Sequence, residues 1–205
     1  MQGYIIHINK VKDEDLIVSI LTRDLLVDTY RFYGARHATI NLGYKIDFEI
    51  QQSTRSNIAQ LRGVIQLASK WYAQRDRMHI WQLFIPLFYK HLKGIDSIEP
   101  FYFDLLEECS EKWLLQNPKR VAIEAYIKLL GFEGRLHDDF TCFVCEQKIQ
   151  ENPAIVRGFL LGHEKCIYKN TFEAQAIQEL FSHKSTLFFD DFDREKLWDI
   201  VLEGL

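Results

Sequence analysis

The sequence predicts an α+β protein: a barrel of short strands, an α-helical domain and a small cysteine-rich module inserted into that domain. Three observations predict it. Apolar and polar residues alternate up to about residue 66, apolar residues then recur at helical spacing, and a C-x2-C…H-x2-C pattern lies between residues 137 and 170. Alternation marks half-buried strands, whereas spacings of three, four and seven mark one apolar helix face. The predicted domains are 1–66, 67–136 together with 171–205, and 137–170.

Five short strands are predicted in the first domain. The clearest begins at Tyr44 and ends at Ile50, where every second residue is apolar. β-branched and aromatic residues dominate the other runs, and polar turns or glycine separate them. Five short strands within the first 66 residues fit a closed barrel of the OB type. The other four strands are predicted at 4–8, 16–21, 26–33 and 58–67.

Helices are predicted beyond this barrel. Apolar residues at helical spacing predict a long helix over 67–92, and Pro86 is expected to kink or split it because proline lacks an amide proton. Asn117 followed by proline predicts the N-cap and first residue of another helix. Gly131 is placed to cap the end of that helix. The remaining helices are predicted at 100–115, 171–181 and 193–202.

The cysteine-rich module carries the pattern of a structural zinc site. Cys142 and Cys145 are separated by two residues, and so are His163 and Cys166. Each pair supplies two adjacent ligands from a tight turn, and four such ligands satisfy tetrahedral zinc. Two alternatives stay open, namely unbound thiols with this spacing and a reducible disulfide between Cys142 and Cys145. The fourth cysteine, Cys109, lies in an apolar helical stretch and needs no special role.

The same pattern argues against catalysis. A hydrolytic zinc keeps an open position for water, whereas four protein ligands fill the tetrahedron. His163-Glu164 resembles the start of a zinc-protease helix, but Ile167 stands where the second histidine is required. Zinc deaminases carry His-x-Glu before Pro-Cys-x-x-Cys, whereas here the histidine follows the cysteine pair. In thioredoxin-like redox proteins a strand precedes the cysteine pair, whereas Cys142 follows a polar run. We expect no enzymatic activity and no small-molecule substrate.

Composition and charge narrow the class of protein. A content of 47% hydrophobic and 14% aromatic residues excludes global disorder. Neither a membrane-spanning run nor a signal peptide is visible, so a cytoplasmic location is expected. The net charge is −4, but residues 1–95 carry 13 Lys and Arg against 8 Asp and Glu, while residues 96–205 carry 12 against 21. This division is compatible with a nucleic-acid surface near the N-terminus and an acidic remainder.

Short motifs follow one another in an order that points to a family. They are DEDLIV at 13–18, LTR at 21–23, GAR at 34–36, IKLLGF at 127–132 and CFVC at 142–145. Over the whole length, these motifs resemble the RecO family of bacterial DNA repair and recombination mediators. The resemblance implies an OB fold, a helical domain and, in many members, a zinc ribbon. It also implies a non-enzymatic protein of the RecFOR pathway that binds and anneals single-stranded DNA. Its partners would be RecR and, with it, recombinase and single-strand-binding protein.

DNA contacts are expected on the barrel. OB barrels bind strands through a cationic groove and through aromatic faces that stack bases. Tyr33 and Tyr44 are candidate stacking residues, although barrel core or rim is the competing explanation for each. Arg36 stands out among the cations because it follows the Gly-Ala turn where the family places a basic segment. The expected cations are Arg31, Arg36, His37, Lys45 and Arg55.

The chain departs from the family in two places. Many members carry more basic residues after the GAR motif, whereas here residues 37–41 read His-Ala-Thr-Ile-Asn. DNA binding is therefore expected to be weaker or to use the basic stretch 55–93. His163 replaces a cysteine of four-cysteine members and remains a valid zinc ligand. The alternative function is an adaptor that binds RecR with little DNA affinity of its own, which the acidic residues of 96–205 favour.

Overall fold

The computed structural model describes residues 1–52, 57–95 and 97–205 and divides into two compact units. Unit 1 is Met1–Leu114 and unit 2 is Leu115–Leu205. The sequence pattern places a boundary after residue 66, whereas the contacts group the barrel with the two helices that follow it. Within the described ranges, no helix is both long and apolar enough to cross a membrane.

Five strands of unit 1 form the closed barrel that the sequence predicts. Their order around the barrel is β1-β2-β3-β5-β4, and β4 pairs again with β1. The pairing of β3 with β5 is parallel, and the other pairings are antiparallel. This arrangement confirms the predicted OB-type fold. The strands are β1 (Gln2–Lys10), β2 (Leu16–Leu21), β3 (Leu26–Arg31), β4 (Lys45–Gln51) and β5 (Ala59–Leu67).

The barrel interior is filled by aliphatic side chains and one phenylalanine. In β4, Ile46 and Phe48 are buried while Glu49 is exposed, as the alternation of apolar and polar residues predicts. Burial of these apolar side chains is the main force that closes the barrel. The buried members of this core are Ile5, Leu16, Val18, Ile20, Ile40, Ile46, Phe48 and Leu61.

A second core, made of aromatic rings, joins the barrel to helices α1 (Arg75–Leu92) and α2 (Pro100–Trp113). Trp81 of α1 lies at its centre, with its ring centroid 4.8 Å from that of Trp113 and 5.2 Å from that of Trp71. The indole N–H of Trp81 donates to the carbonyl oxygen of Gly43 at 2.8 Å. Because each buried indole needs an acceptor, this bond fixes where α1 meets the barrel.

The helix prediction for residues 67–92 needs correction at its start. The helix predicted over 67–92 begins only at Arg75, because Leu67 pairs with Lys45 as the last residue of β5 and Trp71 lies in a turn. Pairing with β4 outweighs the apolar spacing at Leu67, and the turn that contains Trp71 delays the start of the helix. Pro86 lies inside α1 without splitting it. Proline removes a single helical hydrogen bond, and the buried residues around it keep the helix in place.

Unit 2 consists of four helices and a two-stranded sheet. The side chain of Asn117 accepts hydrogen bonds from the amides of Lys119 and Arg120 at 3.0 and 3.4 Å, which confirms the predicted N-cap. Gly131 lies inside the helix, and Gly134 with φ +68° follows its end instead, so the predicted cap was placed too early. The elements are α3 (Pro118–Phe132), β6 (Ala154–Val156), β7 (Leu160–Gly162), α4 (Glu164–Ile167), α5 (Ala174–His183) and α6 (Asp191–Leu202).

The contact between Gly43 and Trp81 leads to a first prediction. Gly43 has φ +85°, and a Cβ atom there would lie 2.5 Å from Cδ1 of Trp81. Gly94 has φ +86° and nothing within 4 Å of such an atom, so it is a matched control for backbone strain alone. We expect Gly43→Ala to lower the free energy of unfolding by about 1–3 kcal/mol more than Gly94→Ala does, because overpacking a core usually costs this much. Equal urea midpoints for the two variants would contradict this account.

Candidate nucleic-acid interface and metal centre

The structure brings the four predicted metal ligands of unit 2 together. The ligand atoms of Cys142, Cys145, His163 and Cys166 all lie within 4.8 Å of one another. Nδ1 of His163 is 3.4 Å from Sγ of Cys145 and 3.8 Å from Sγ of Cys166. A tetrahedral metal ion binds sulfur at about 2.3 Å and nitrogen at about 2.0 Å, so a sulfur and a nitrogen ligand of the same ion lie about 3.5 Å apart. The donor set therefore fits a tetrahedral metal ion.

Two tight turns place these ligands. In the first, the amide of Glu146 donates to the carbonyl oxygen of Cys142 at 2.8 Å, and Glu146 adopts a left-handed backbone with φ +60°. In the second, strand β7 ends next to His163, and the amide of Cys166 donates to the carbonyl oxygen of His163 at 2.9 Å. The two turns meet where the amide of Phe143 donates to the carbonyl oxygen of Leu161 at 3.0 Å. Each C-x2-C or H-x2-C pair is thus one hydrogen-bonded turn.

A backbone contact orients the imidazole of His163. Its Nε2 atom lies 3.4 Å from the carbonyl oxygen of Lys148, which accepts a hydrogen bond when Nε2 carries the proton. The lone pair then resides on Nδ1, the nitrogen that faces the cysteines. Metal-binding histidines are commonly oriented by a hydrogen bond of this kind. His163 is therefore held in the tautomer that a metal ion requires.

The thiols of this group differ in acidity. Burial opposes ionisation of Cys142, but hydrogen bonds from the backbone of Cys145, His163 and Val144 outweigh it and lower the pKa of the thiol to about 6. Burial and the neighbouring thiols raise the pKa of Cys166 to about 11. Several thiolates in one group repel one another unless a cation lies between them. The electrostatics of the group therefore favour a bound positive ion.

A second feature is the β3 corner, defined as residues 31–37, which begin at the last residue of strand β3. Phe32 and Tyr33 are 48% and 58% exposed, although aromatic side chains of this size are usually buried. The guanidinium carbon of Arg36 lies 5.2 Å from the ring centroid of Tyr33. The ring of Phe32 meets that of Tyr30 edge to face at a centroid distance of 4.9 Å. The corner thus presents two aromatic rings and a cation to solvent.

The acidic turn between β1 and β2 supports the β3 corner. One carboxylate oxygen of Asp15 accepts from the amide of Tyr33 at 2.7 Å, and the other accepts from the hydroxyl of Tyr30 at 2.6 Å. The carbonyl oxygen of Glu14 accepts from the amide of Ala35 at 2.9 Å, and its carboxylate pairs with Arg36. The two motifs that the sequence singles out, at 13–18 and 34–36, therefore contact each other.

These contacts hold Tyr33 in an unusual conformation. Its φ of +51° lies in the left-handed region, which costs about 1–2 kcal/mol for a residue with a Cβ atom. Hydrogen bonds from the Tyr30 hydroxyl and the Tyr33 amide favour the ionised form of Asp15 and lower its pKa. Their contribution to stability is thus present at neutral pH and is lost as the pH falls through the lowered pKa of Asp15. At neutral pH the corner is anchored.

Three of the predicted DNA-contacting cations lie at the β3 corner. Arg31, the last residue of β3, donates to the carbonyl oxygen of Leu61 at 2.9 Å. The other terminal nitrogen of Arg31 lies 3.5 Å from Nε2 of His37. Of these three basic side chains, that of Arg36 lies against the ring of Tyr33, while those of Arg31 and His37 lie next to each other. The sequence pattern does not distinguish Phe32, because an aromatic residue at the end of a strand is usually part of the barrel core.

The other predicted DNA-contacting residues are placed differently. Lys45 lies 2.6 Å from the carboxylate of Glu107 on α2, and its ammonium group is 5.6 Å from the ring centroid of Phe103. Tyr44 stacks on Tyr72 at a centroid distance of 5.0 Å. Both side chains therefore take part in packing within unit 1 and lie apart from the β3 corner. Arg55 lies outside the described residues.

Ion pairs within unit 1 offset the basic charge of the N-terminal segment. Residues 1–114 contain 14 Lys and Arg and 14 Asp and Glu, because the acidic helix α2 belongs to this unit. Arg23 pairs with Asp104 at 2.9 Å, in addition to the pair between Lys45 and Glu107. In the basic stretch 55–93, Arg77 donates to the carbonyl oxygen of Trp113 and so contributes to packing. The charge split of the sequence is thus largely balanced in the folded unit.

Comparison with known families agrees with the barrel and its motifs. Residues 1–72 match the family model described as RecO N terminal, and this segment contains all five strands and the β3 corner. No curated protein matches the chain closely enough to count as a relative. The barrel segment of the chain is therefore similar to the N-terminal domain of RecO proteins.

Proposed function

We propose that the protein is a non-enzymatic mediator of DNA repair and homologous recombination that binds and anneals single-stranded DNA. It acts with RecR to load recombinase on strands covered by single-strand-binding protein. The observation that carries the proposal is the β3 corner, where exposed aromatic rings and basic side chains lie together on a barrel that matches the RecO N-terminal model. Barrels of this type bind single strands through such pairs of rings and cations.

The electrostatics of the corner support binding of modest strength. Each neutralised phosphate releases counterions, which strengthens binding and makes it sensitive to salt. The side chain of Arg36 is 66% exposed, but it is paired with Glu14, and a phosphate must compete with that carboxylate. Few basic residues follow Arg36 in the chain. We infer that aromatic contacts contribute a larger share of the affinity here than in a strongly basic barrel.

We also propose that the four-ligand group of unit 2 holds a structural zinc ion. Three thiolates and one imidazole form a donor set that zinc prefers. Four protein ligands occupy every position of a tetrahedron and leave none for a reacting water molecule, which supports a non-enzymatic role. Zinc binding requires reduced thiols, which is consistent with the reducing cytoplasm of a bacterium.

A second candidate function is an adaptor that binds RecR and contributes little DNA affinity. The ion pairs of Arg23 with Asp104 and of Lys45 with Glu107 favour it, because they use cations that a phosphate groove would need. An adaptor binds its protein partner, and it makes few contacts with DNA phosphates. Its own affinity for DNA is therefore low and depends only weakly on salt concentration. The two functions therefore differ in a measurable quantity.

The zinc proposal predicts a loss of metal and of stability in Cys142→Ser. We expect about one zinc ion per wild-type chain by elemental analysis, and clearly less in this variant. Its free energy of unfolding should fall by at least about 2 kcal/mol, since metal binding contributes to folding. Cys109→Ala is the control, because Cys109 lies in unit 1 and should not change the zinc content. The proposal would be refuted if wild-type protein contained no zinc after it had been refolded in the presence of zinc.

The DNA proposal predicts different effects for two similar arginines. Arg36 and Arg23 have side chains 66% and 63% exposed, and each is paired with one carboxylate. We expect Arg36→Ala to weaken binding to fluorescent single-stranded DNA and to reduce the slope of log affinity against log salt by about 0.7 to 1. Arg23→Ala should change neither quantity.

The same titration distinguishes mediator from adaptor. DNA binding by the protein alone supports the mediator. Binding that occurs only after RecR is added, with a slope unaffected by Arg36→Ala, would replace the mediator with the adaptor.

A further inference from the structure

We propose that Phe32 and Tyr33 form a stacking surface for unpaired nucleic-acid bases, so that the β3 corner selects single strands. This inference rests on the proposed function and deepens it, because it assigns base contacts to two side chains in addition to the cations. Its ligand is the exposed face of a base. Its predicted signature is a contribution to the affinity that does not change with salt concentration.

The two rings of the β3 corner are adjacent in the chain, and both are exposed. The large aromatic side chains of the second core, Trp71, Trp81 and Trp113, are almost completely buried. Phe32 and Tyr33 are adjacent in the chain and are 48% and 58% exposed. Keeping two neighbouring aromatic rings in water forgoes the stabilisation that their burial would supply. A binding role accounts for this arrangement.

The backbone beneath the rings is fixed before a ligand arrives. Asp15 binds the amide of Tyr33 and the hydroxyl of Tyr30, and the ring of Phe32 rests edge-on against Tyr30. Tyr33 is thereby held with φ +51°, a conformation that isolated chains rarely adopt. Strained backbone of this kind occurs at ligand-binding positions, where the surrounding contacts maintain it. A ring held in place loses little conformational freedom when a base stacks on it.

The neighbouring charges favour nucleic acid as the occupant. Arg36 lies over the ring of Tyr33, and Arg31 and His37 lie beside each other at the same corner. A single strand presents alternating bases and phosphates, and this corner presents rings and cations side by side. In a duplex both faces of each base are already stacked. The surface therefore suits unpaired bases. A protein partner that binds the same corner is the competing occupant.

The experiment compares tyrosines in matched conformations. Tyr168 is 88% exposed and has φ +54°, close to the +51° of Tyr33, but it lies in unit 2. The full-length chain and the variants Tyr33→Leu, Phe32→Leu and Tyr168→Leu are titrated against fluorescein-labelled oligo(dT) at several salt concentrations. Tyr33→Phe keeps the ring and tests whether the variants act through stacking. A second probe is an abasic oligonucleotide of equal length, which keeps the phosphates and lacks the bases.

We expect Tyr33→Leu to weaken binding to oligo(dT) about 10-fold, as for the loss of one stacked base, with the salt slope unchanged. Phe32→Leu should have a smaller effect of the same kind, while Tyr33→Phe and Tyr168→Leu should bind like wild type. On the abasic strand, wild type and Tyr33→Leu should bind equally weakly. Wild type itself should bind the abasic strand more weakly than oligo(dT). This comparison uses no variant, so it holds even if Tyr33→Leu is unstable.

The outcomes separate this inference from the proposed function. If oligo(dT) binding depends on Arg36 but wild type binds the abasic strand equally well, the stacking surface is wrong and the DNA proposal stands. If the chain binds neither probe at any salt concentration, both are wrong. If Tyr33→Leu abolishes binding of RecR and leaves oligo(dT) binding unchanged, the corner is a protein-docking surface and the inference is overturned.

Discussion

The hydrogen bond between the indole of Trp81 and the carbonyl oxygen of Gly43 is the contact on which the architecture of unit 1 depends. It requires a glycine with positive φ two residues before β4 and a tryptophan on the buried face of α1. Around this bond, rings from the barrel and both helices form one aromatic core, including Tyr4 at 5.9 Å from Trp81. The barrel and its two helices consequently form one compact unit, and acidic helix α2 comes to offset the basic strands.

This arrangement determines what the barrel can bind. Lys45 is neutralised by Glu107 and Arg23 is paired with Asp104, so these cations contribute little to a phosphate groove. The β3 corner remains, where Arg36 is exposed beside Tyr33 even though Glu14 pairs with it. Its order comes from Asp15, whose two carboxylate oxygens fix the backbone of Tyr33 and the hydroxyl of Tyr30. A weakly charged, rigid aromatic surface fits a binding mode dominated by stacking.

Unit 2 builds its metal group on a different principle. Two hydrogen-bonded turns deliver four ligands, and the carbonyl oxygen of Lys148 orients the imidazole of His163. No large apolar core is needed at such a site, because an ion that binds the folded form stabilises it directly. Both units also bury apolar side chains, among them Tyr126, Leu180 and Trp198 in unit 2. The two units are therefore expected to respond differently to chelators, because the four-ligand group lies in unit 2.

The sequence by itself determined the features that depend on near neighbours. Alternation located the five strands, and Asn117 located the start of α3. The spacing within the pairs Cys142/Cys145 and His163/Cys166 located the four-ligand group. Each of these patterns is visible within a few consecutive residues. Only the tertiary structure decided which predicted contacts are accessible. Lys45 meets a carboxylate 62 residues away, and the exposure of Phe32 depends on packing between strands, so no local pattern could show either. Burial and charge pairing are sums over distant parts of the chain, and they become defined only when the chain folds.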